Sequence, residues 1–143
     1  MSTEAIKAIA YQLYEDFNEA FRTRNPNVLE ETISANIVDH NPAPGQAPGL
    51  EGVKQYVLMF CAAFPDLQNT VEDLIAEGDK VVARLTVRGA HTGAFMGIPP
   101  TGKPVVVTLM EILRIADGKV VERWGQFDNL GLMQQLGVIP ASG

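Results

Sequence analysis

The spacing of apolar residues changes abruptly along this chain of 143 residues. Between Ile6 and Phe21 apolar residues recur every three or four positions, which is the pattern of an amphipathic helix. From about Leu67 onward apolar and polar residues alternate, as they do in strands that bury one face. Helices followed by a meander of antiparallel strands predict an α+β domain with the helices packed on one face of the sheet.

Turn and cap signals divide the chain further. Glu77-Gly78-Asp79-Lys80 and Asp117-Gly118 predict tight hairpin turns, and a brief strand is expected at 35–40. The stretch 41–49 holds three prolines and two glycines, so it predicts a long loop of the kind that often rims a binding site. We predict one domain spanning residues 1–143. The predicted helices cover about residues 6–21, 27–33, 50–63 and 130–136.

Composition narrows the class of protein. The net charge of −6 and the absence of a basic cluster disfavour nucleic acid and anionic membranes as partners. No apolar run is long enough to cross a membrane, and the N-terminal residues lack the pattern of a secretory signal. The single cysteine, Cys61, lies in an apolar stretch and is expected to be a buried thiol. These features predict a cytoplasmic protein.

Polar residues interrupt the predicted sheet on one face of its last hairpin. If Asp117-Gly118 forms a two-residue turn, Glu111 lies opposite Trp124, and strand alternation places Glu122 on the same face. A polar row where a small domain normally has aliphatic side chains suggests a lined cavity. The candidates on this face are Glu111, Trp124, Gln126, Asp128 and, in phase with the preceding strand, His91.

These residue types suit acid/base chemistry. Burial raises the pKa of a carboxyl group towards neutrality, so that it can exchange a proton with a weak carbon acid. A tryptophan provides a flat wall, and Gln126 or His91 could donate to a developing enolate oxygen. Neither metal nor cofactor is required, since His40 and Asp39 lack ligand spacing. Further candidates for substrate contact are Tyr14, Phe17 and Phe60 on the helices, and His40 and Asn41 at the start of the loop.

The same residues also have structural interpretations. Asp128 could cap the final helix. A slip of one residue in register would turn the whole set to the opposite face. Trp124 could fill the core, and His91 could be a buried structural histidine. Glu111 and Glu122 could form ion pairs with Arg84, Arg114 or Arg123.

Two motifs carry a resemblance to a known family. They are Gly93-x-Phe95-x-Gly97-Ile98-Pro99-Pro100-Thr101-Gly102-Lys103 and Asp117-Gly118-Lys119-Val120-Val121-Glu122-x-Trp124-x-x-x-Asp128-x-x-Gly131-Leu132-Met133-x-Gln135-Leu136-Gly137. With them, the chain resembles the SnoaL-like polyketide cyclase family over nearly its full length. The resemblance implies a nuclear-transport-factor-2-like (cystatin-like) fold, in which a cone-shaped curved antiparallel β-sheet packs against N-terminal helices around a pocket. It also implies homodimers formed through the sheet.

The resemblance further implies cofactor-independent acid/base catalysis on a small apolar carbonyl compound, by intramolecular aldol cyclisation or isomerisation. By motif position the proton-transferring acid is Asp128, with His91, Glu111 or no partner beside it, and the loop at 41–49 gates the pocket. Two alternatives stay open. Limonene-epoxide-hydrolase relatives activate water with an Asp-Arg-Asp set, which here requires Arg84 or Arg114 to point inward, against simple alternation. The other is a non-catalytic small-molecule-binding or dimerisation module.

Overall fold

The computed structural model describes residues 1–140, so the last three residues of the predicted domain lie outside it. Its helices are α1 (Thr3–Thr23), α2 (Gly49–Ala63) and α3 (Asn129–Leu136), with a 3-10 helix at Pro26–Glu31. Its strands are β1 (Ile33–Asp39), β2 (Gln68–Glu77), β3 (Lys80–Ala90), β4 (Pro104–Ala116) and β5 (Lys119–Phe127). They form one sheet in the order β1-β5-β4-β3-β2. All neighbours are antiparallel except β1, which runs parallel to β5, and the predicted α+β class is confirmed.

Local side-chain signals set the starts of the first two helices. The Ser2 hydroxyl accepts a hydrogen bond from the backbone N–H of Ala5 and so caps α1. The Asn25 side chain accepts from the N–H of Asn27, with Pro26 in the first turn. The predicted second helix is shorter than expected, because Ile33 already belongs to β1. Within residues 1–140, no helix combines the length and apolarity needed to span a membrane.

The core lies between the helices and one face of the sheet. The inward side chains of β3 and β4 are almost fully buried against α1 and α2, as the alternation predicts. Glu111 is buried within that aliphatic row, and Cys61 is a buried free thiol, as expected. The buried row consists of Val81, Ala83, Leu85 and Val87 on β3 and Val105, Val107, Leu113 and Ile115 on β4.

Both predicted hairpin turns are confirmed. β2 ends at Glu77 and β3 begins at Lys80, with Gly78 at a φ of 61°. In the last hairpin, Asp117 and Gly118 have φ values of 53° and 78°. Positive φ at both central residues is the property of the type I′ turn, whose twist matches that of the two strands it joins.

The register beyond the last turn differs from the prediction by one residue. Ile115 pairs with Val120, but Arg114 pairs with Glu122, so β5 carries one extra residue, Val121, in a β-bulge. From there onward Glu111 lies opposite Gly125 instead of Trp124. The bulge therefore reverses the predicted faces of β5. Arg123, Gly125 and Phe127 point towards the helices, whereas Glu122 and Trp124 point away from them.

A side chain of α3 completes the edge that β5 leaves open on β4. β5 pairs with β4 only as far as Leu109, so the N-terminal residues of β4 lack a strand on that side. There the Gln135 amide accepts a hydrogen bond from the N–H of Val106 and donates one to its carbonyl, each at 2.8 Å. Gln135 thereby satisfies the two backbone groups that a neighbouring strand would otherwise pair with, and it fixes α3 at the end of the sheet.

Candidate active site

A cavity of about 470 Å³ lies between the helices and part of the inward face of the sheet. Its walls are mostly apolar, and Phe60 is central to their aromatic part, with ring centroids 5.2 Å from Phe95 and 6.0 Å from Phe127. The predicted loop contributes residues 41–44 and Gln46 to the lining, which confirms its position at the cavity. The other apolar lining residues are Phe17, Phe21, Val53, Tyr56, Met59, Leu67, Val87, Met96, Leu109 and Met133.

Four polar side chains form a connected network on the cavity wall. Glu111 accepts hydrogen bonds from the Tyr14 hydroxyl to Oε1 at 2.6 Å and from Arg123 Nε to Oε2 at 2.7 Å. Arg123 Nη1 donates to both carboxylate oxygens of Asp39, at 3.1 and 3.3 Å. The Glu111 side chain is only 5 % exposed, whereas those of Asp39 and Arg123 are 13 % and 22 % exposed. Glu111 is thus the innermost ionised group of the network.

Strand order explains why these side chains meet. β5 lies between β1 and β4, so a side chain on β5 can reach partners on both neighbours. Asp39 is the direct partner of Arg123 across the parallel pair. On β4, Glu111 lies two residues from Leu113, the direct partner of Arg123, and therefore on the same face. The bulge at Val121 points Arg123 inward, and Tyr14 approaches from α1. The network therefore depends on three adjacent strands and one helix.

Asn41 connects the loop to the sheet at this site. Its backbone N–H donates to Asp39 Oδ1, and its side-chain Oδ1 accepts from the N–H of Gly125, each at 2.9 Å. These bonds hold the first loop residue next to the network and orient the Asp39 carboxylate.

The surroundings shift the pKa values of three groups. Burial, together with the charge and hydrogen bond of Glu111, raises the pKa of Tyr14 well above its ordinary value. Burial is also the main cause that raises the pKa of Tyr56 to about 12. Burial disfavours the charge of Arg123, but Glu111 and Asp39 more than offset it and raise its pKa. Both tyrosines are therefore neutral donors and Arg123 is a cation near neutral pH.

Six of the ten predicted site residues line the cavity. Gln126 is one of these six although its strand position faces away from the helices, and it is exposed. The chemical roles assigned to these residues remain predictions. The six are Tyr14, Phe17, Asn41, Phe60, Glu111 and Gln126.

Asp128 does not lie in the cavity wall, so the expectation that its carboxyl group faces a sheltered space is wrong. The residue is exposed, and its Oδ1 accepts a hydrogen bond from the N–H of Gly131 at 2.9 Å. It is the N-cap of α3, which was the structural interpretation of this position. The reversed faces of β5 explain the difference, because Asp128 follows the strand on the side away from the helices.

Trp124 and His40 were also expected at the cavity, but they lie on the opposite face of the sheet. Their rings stack with centroids 4.7 Å apart and planes 6° from parallel. His40 Nε2 lies 2.6 Å from Glu122 Oε2, and Arg114 Nε donates to Glu122 Oε1 at 2.7 Å. We call these four residues the outer-face cluster. The bulge explains the outward positions of Glu122 and Trp124 in the same way as that of Asp128.

His91 is fully buried but does not line the cavity, which corrects its expected place there. Its Nδ1 lies 3.2 Å from the backbone N and 3.0 Å from the Oγ1 of Thr101. Its ring centroid lies 5.4 Å from that of Phe64. These contacts tie the segment between β3 and β4 to α2, so His91 has the structural role that was the alternative for it.

Asp39 and Arg123 were not predicted as cavity residues. Arg123 was considered only as an ion-pair partner, and the Glu111–Arg123 and Glu122–Arg114 pairs both form, while Arg84 pairs with Asp73. A signal was present in Gly125, because a glycine within a strand often marks a bulge or a close approach of another group.

Comparisons with known proteins agree with this architecture. The sequence model of the SnoaL-like polyketide cyclase family matches residues 8–136. The aklanonic acid methyl ester cyclase DnrD of Streptomyces peucetius is 31% identical over 125 residues, covering 83% of this chain and 84% of that protein. The nogalonic acid methyl ester cyclase of Streptomyces nogalater is 31% identical, with 82% and 90% covered. The structure of TsrD from Streptomyces laurentii superposes with a TM-score of 0.83 at 35% identity, covering 92% of this chain and 97% of TsrD.

A curved sheet closed by helices around an acid-lined cavity defines an α+β enzyme scaffold of the nuclear-transport-factor-2-like class. The chain belongs to the SnoaL-like polyketide cyclase family. The predicted family, fold class and polyketide-cyclase-like type of function are therefore confirmed at that level.

The raised pKa of Tyr56 predicts a loss of stability in alkali. The unfolded chain releases this proton near pH 10, whereas the folded protein retains it to about pH 12. The contribution of Tyr56 to the free energy of unfolding is therefore fully present below pH 10 and decreases as the pH rises towards 12. Tyr56→Phe should reduce this slope by at most about 1.4 kcal/mol per pH unit. Urea unfolding at pH 9, 10 and 11 measures it, with Tyr11→Phe as the control at an exposed tyrosine. Equal slopes for wild type and Tyr56→Phe would contradict the assignment.

Proposed function

We propose that this protein is a cofactor-independent cyclase that closes a ring in a largely apolar polyketide ester by intramolecular aldol addition. One observation carries the proposal: the buried Glu111 carboxylate, hydrogen-bonded by Tyr14 and Arg123, lies on the wall of a mostly apolar cavity. The aklanonic and nogalonic acid methyl ester cyclases among its relatives support the substrate class.

Glu111 is the proposed base. Each of its oxygens accepts one hydrogen bond, which leaves a second lone pair on each oxygen. Glu111 takes a proton from a carbon next to a substrate carbonyl, and the resulting enolate attacks a second carbonyl carbon of the same molecule. The new alkoxide takes the proton back from Glu111, so the product is an isomer of the substrate and the base is regenerated. The aromatic side chains of the cavity wall position the substrate and exclude water.

The charge of the network supports an ester over a free acid. Two carboxylates, Asp39 and Glu111, face one guanidinium, which leaves this part of the cavity with a formal charge of −1. While Glu111 is ionised, the charge of Arg123 is already balanced by the two carboxylates, so a third carboxylate would add uncompensated negative charge. A substrate whose acid groups are esterified avoids that repulsion.

Glu111→Gln should abolish cyclisation while leaving substrate binding in place. Loss of a general base costs about 1000-fold in kcat, and glutamine keeps the shape of the side chain. The assay follows conversion of aklanonic acid methyl ester and nogalonic acid methyl ester to a cyclised isomer of the same mass by liquid chromatography and mass spectrometry. Asp128→Asn, outside the cavity, is the matched control and should retain activity.

Three results are informative in this assay. Wild type that cyclises neither ester contradicts the cyclase proposal. An active Glu111→Gln variant contradicts the assignment of the base. A wild type that binds the esters with the affinity of Glu111→Gln but converts none of them indicates a non-catalytic binding module.

A second candidate activity is the hydrolysis of an epoxide. The observation that favours it is the Asp39–Arg123–Glu111 arrangement, in which one guanidinium contacts two carboxylates. Arg84 and Arg114 point outward as alternation predicts, and Arg123 takes the place they would have needed to fill. In this reaction Glu111 takes a proton from the water that attacks the epoxide carbon, and the epoxide oxygen receives a proton by way of Asp39 as the C–O bond breaks.

Limonene 1,2-epoxide separates the two activities. A hydrolase should convert it to the diol, and Asp39→Asn should lower that rate about 100-fold through loss of the acid. A cyclase should leave the epoxide intact, because the aldol step uses Glu111 alone as base. Gas chromatography of the diol is the measurement, and diol formation that is unchanged in Asp39→Asn would eliminate the hydrolase mechanism.

We also propose that the protein is a cytoplasmic homodimer formed through the outer face of the sheet. The helices cover one face, while the other carries an apolar strip in register across three strands, Val82, Ile112 and Trp124, with Met110 beside it. Val82, Ile112 and Met110 are 42 %, 37 % and 51 % exposed. An apolar strip of this kind is typical of a subunit interface.

Ile112→Lys should convert the dimer to a monomer, because a lysine in the strip buries a charge without a partner. Analytical ultracentrifugation should give twice the chain mass of 15.5 kDa for wild type and the single mass for the variant. Leu58→Lys, on the exposed side of α2, is the control and should remain dimeric. A monomeric wild type at micromolar concentration would refute the interface.

A further inference from the structure

The space directly over Gly125 is filled by the guanidinium of Arg123. A Cβ atom on Gly125 would lie 2.3 Å from Arg123 Nη2, 2.6 Å from Cζ and 3.1 Å from Nη1. The first two distances are far below any nonbonded contact, and both residues line the cavity. The absence of a side chain at position 125 is therefore what allows the guanidinium to lie where it does.

The three nitrogens of Arg123 have different surroundings. Nε donates to Glu111 and Nη1 donates to Asp39. Nη2 makes no hydrogen bond to a protein atom of residues 1–140. In the same part of the chain, His91 Nε2 is the one fully buried side-chain nitrogen or oxygen without a partner, so Nη2 keeps some accessible surface. Since Nη2 lies over Gly125 and both residues line the cavity, we place that surface at the cavity. Arg123 thus presents a charged donor to which residues 1–140 supply no acceptor.

We propose that Arg123 Nη2 is the oxyanion donor of the reaction and that Gly125 is the positioning residue that holds it towards the cavity. This inference rests on the proposed cyclisation. When Glu111 removes the proton from carbon, the electron pair of the C–H bond forms the enolate, whose oxygen accepts a hydrogen bond from Nη2. The enolate carbon then bonds to the second carbonyl carbon, and the oxygen of that carbonyl receives the proton.

Gly125→Ala tests the positioning role in the aklanonic acid methyl ester assay. Displacement of an oxyanion donor should lower kcat about 100-fold with KM changed by no more than about threefold. Gly89→Ala is the matched control, because Gly89 also lies within a strand of this sheet and a Cβ there approaches no atom closer than 3.2 Å. It should keep wild-type kcat, and thermal unfolding verifies that both variants are folded.

A double-mutant cycle distinguishes this role from a general weakening of the sheet. Lysine at position 123 keeps the charge but lacks the branched nitrogens that a Cβ at position 125 would meet. Gly125→Ala should therefore change kcat by less than about twofold when added to Arg123→Lys. Effects that multiply in the double variant would overturn the inference.

Binding of 4-nitrophenolate tests the donor without depending on the natural substrate. Glu111→Gln stands in for the protonated base, and the phenolate oxygen stands in for the enolate. Glu111→Gln should bind the phenolate about tenfold more tightly than either Glu111→Gln/Gly125→Ala or Glu111→Gln/Arg123→Lys. The control Glu111→Gln/Gly89→Ala should bind it with the same affinity as Glu111→Gln. Absorbance titration measures this affinity.

Equal phenolate affinity in all four variants would overturn the inference, whatever the cyclisation assay shows. Wild type that is inactive on the esters, with the predicted order of phenolate affinities, would instead reject the proposed reaction and keep the anion-binding donor. If Gly125→Ala fails to fold, the Arg123→Lys comparison alone decides the donor role.

Discussion

The contact of Arg123 with Glu111 and Asp39 is the interaction on which the site depends. A guanidinium removed from water costs several kcal/mol unless partners compensate it, and here two carboxylates on the flanking strands do so. Loss of either carboxylate would leave a partly buried charge less well compensated. Both ion pairs can form because β5 lies between β1 and β4, and the ion pairs in turn favour that strand order. The fold and the site specify each other through this contact.

The sequence predicted those parts of the fold that follow from local rules. The helical stripe of α1, the Asp117-Gly118 turn and the inward row of β4 were all recovered, because each depends on neighbours in sequence. Glu111 was placed correctly for the same reason. Its strand has no irregularity between the turn and the buried row, so simple alternation holds.

Two features escaped prediction because they depend on contacts distant in sequence. The bulge at Val121 shifts β5 by one residue, and its consequence extends to Trp124 and Asp128, which exchange places with Arg123 and Gly125 relative to the expected faces. The parallel pairing of β1 with β5 brings Asp39 beside Arg123 across 84 residues of chain. Neither hairpin turns nor periodicity carries information about that pairing.

The placement of a base beside a cation resolves an electrostatic difficulty of the proposed reaction. Before proton transfer, the charge of Glu111 is balanced by Arg123. After transfer, Glu111 is neutral and the negative charge lies on the enolate, within reach of the same guanidinium. The net charge of the site stays constant, so only the partner of Arg123 changes. A fixed cation beside the base thus stabilises both states without reorganisation of the surrounding protein, which is the condition for effective electrostatic catalysis in a mostly apolar cavity.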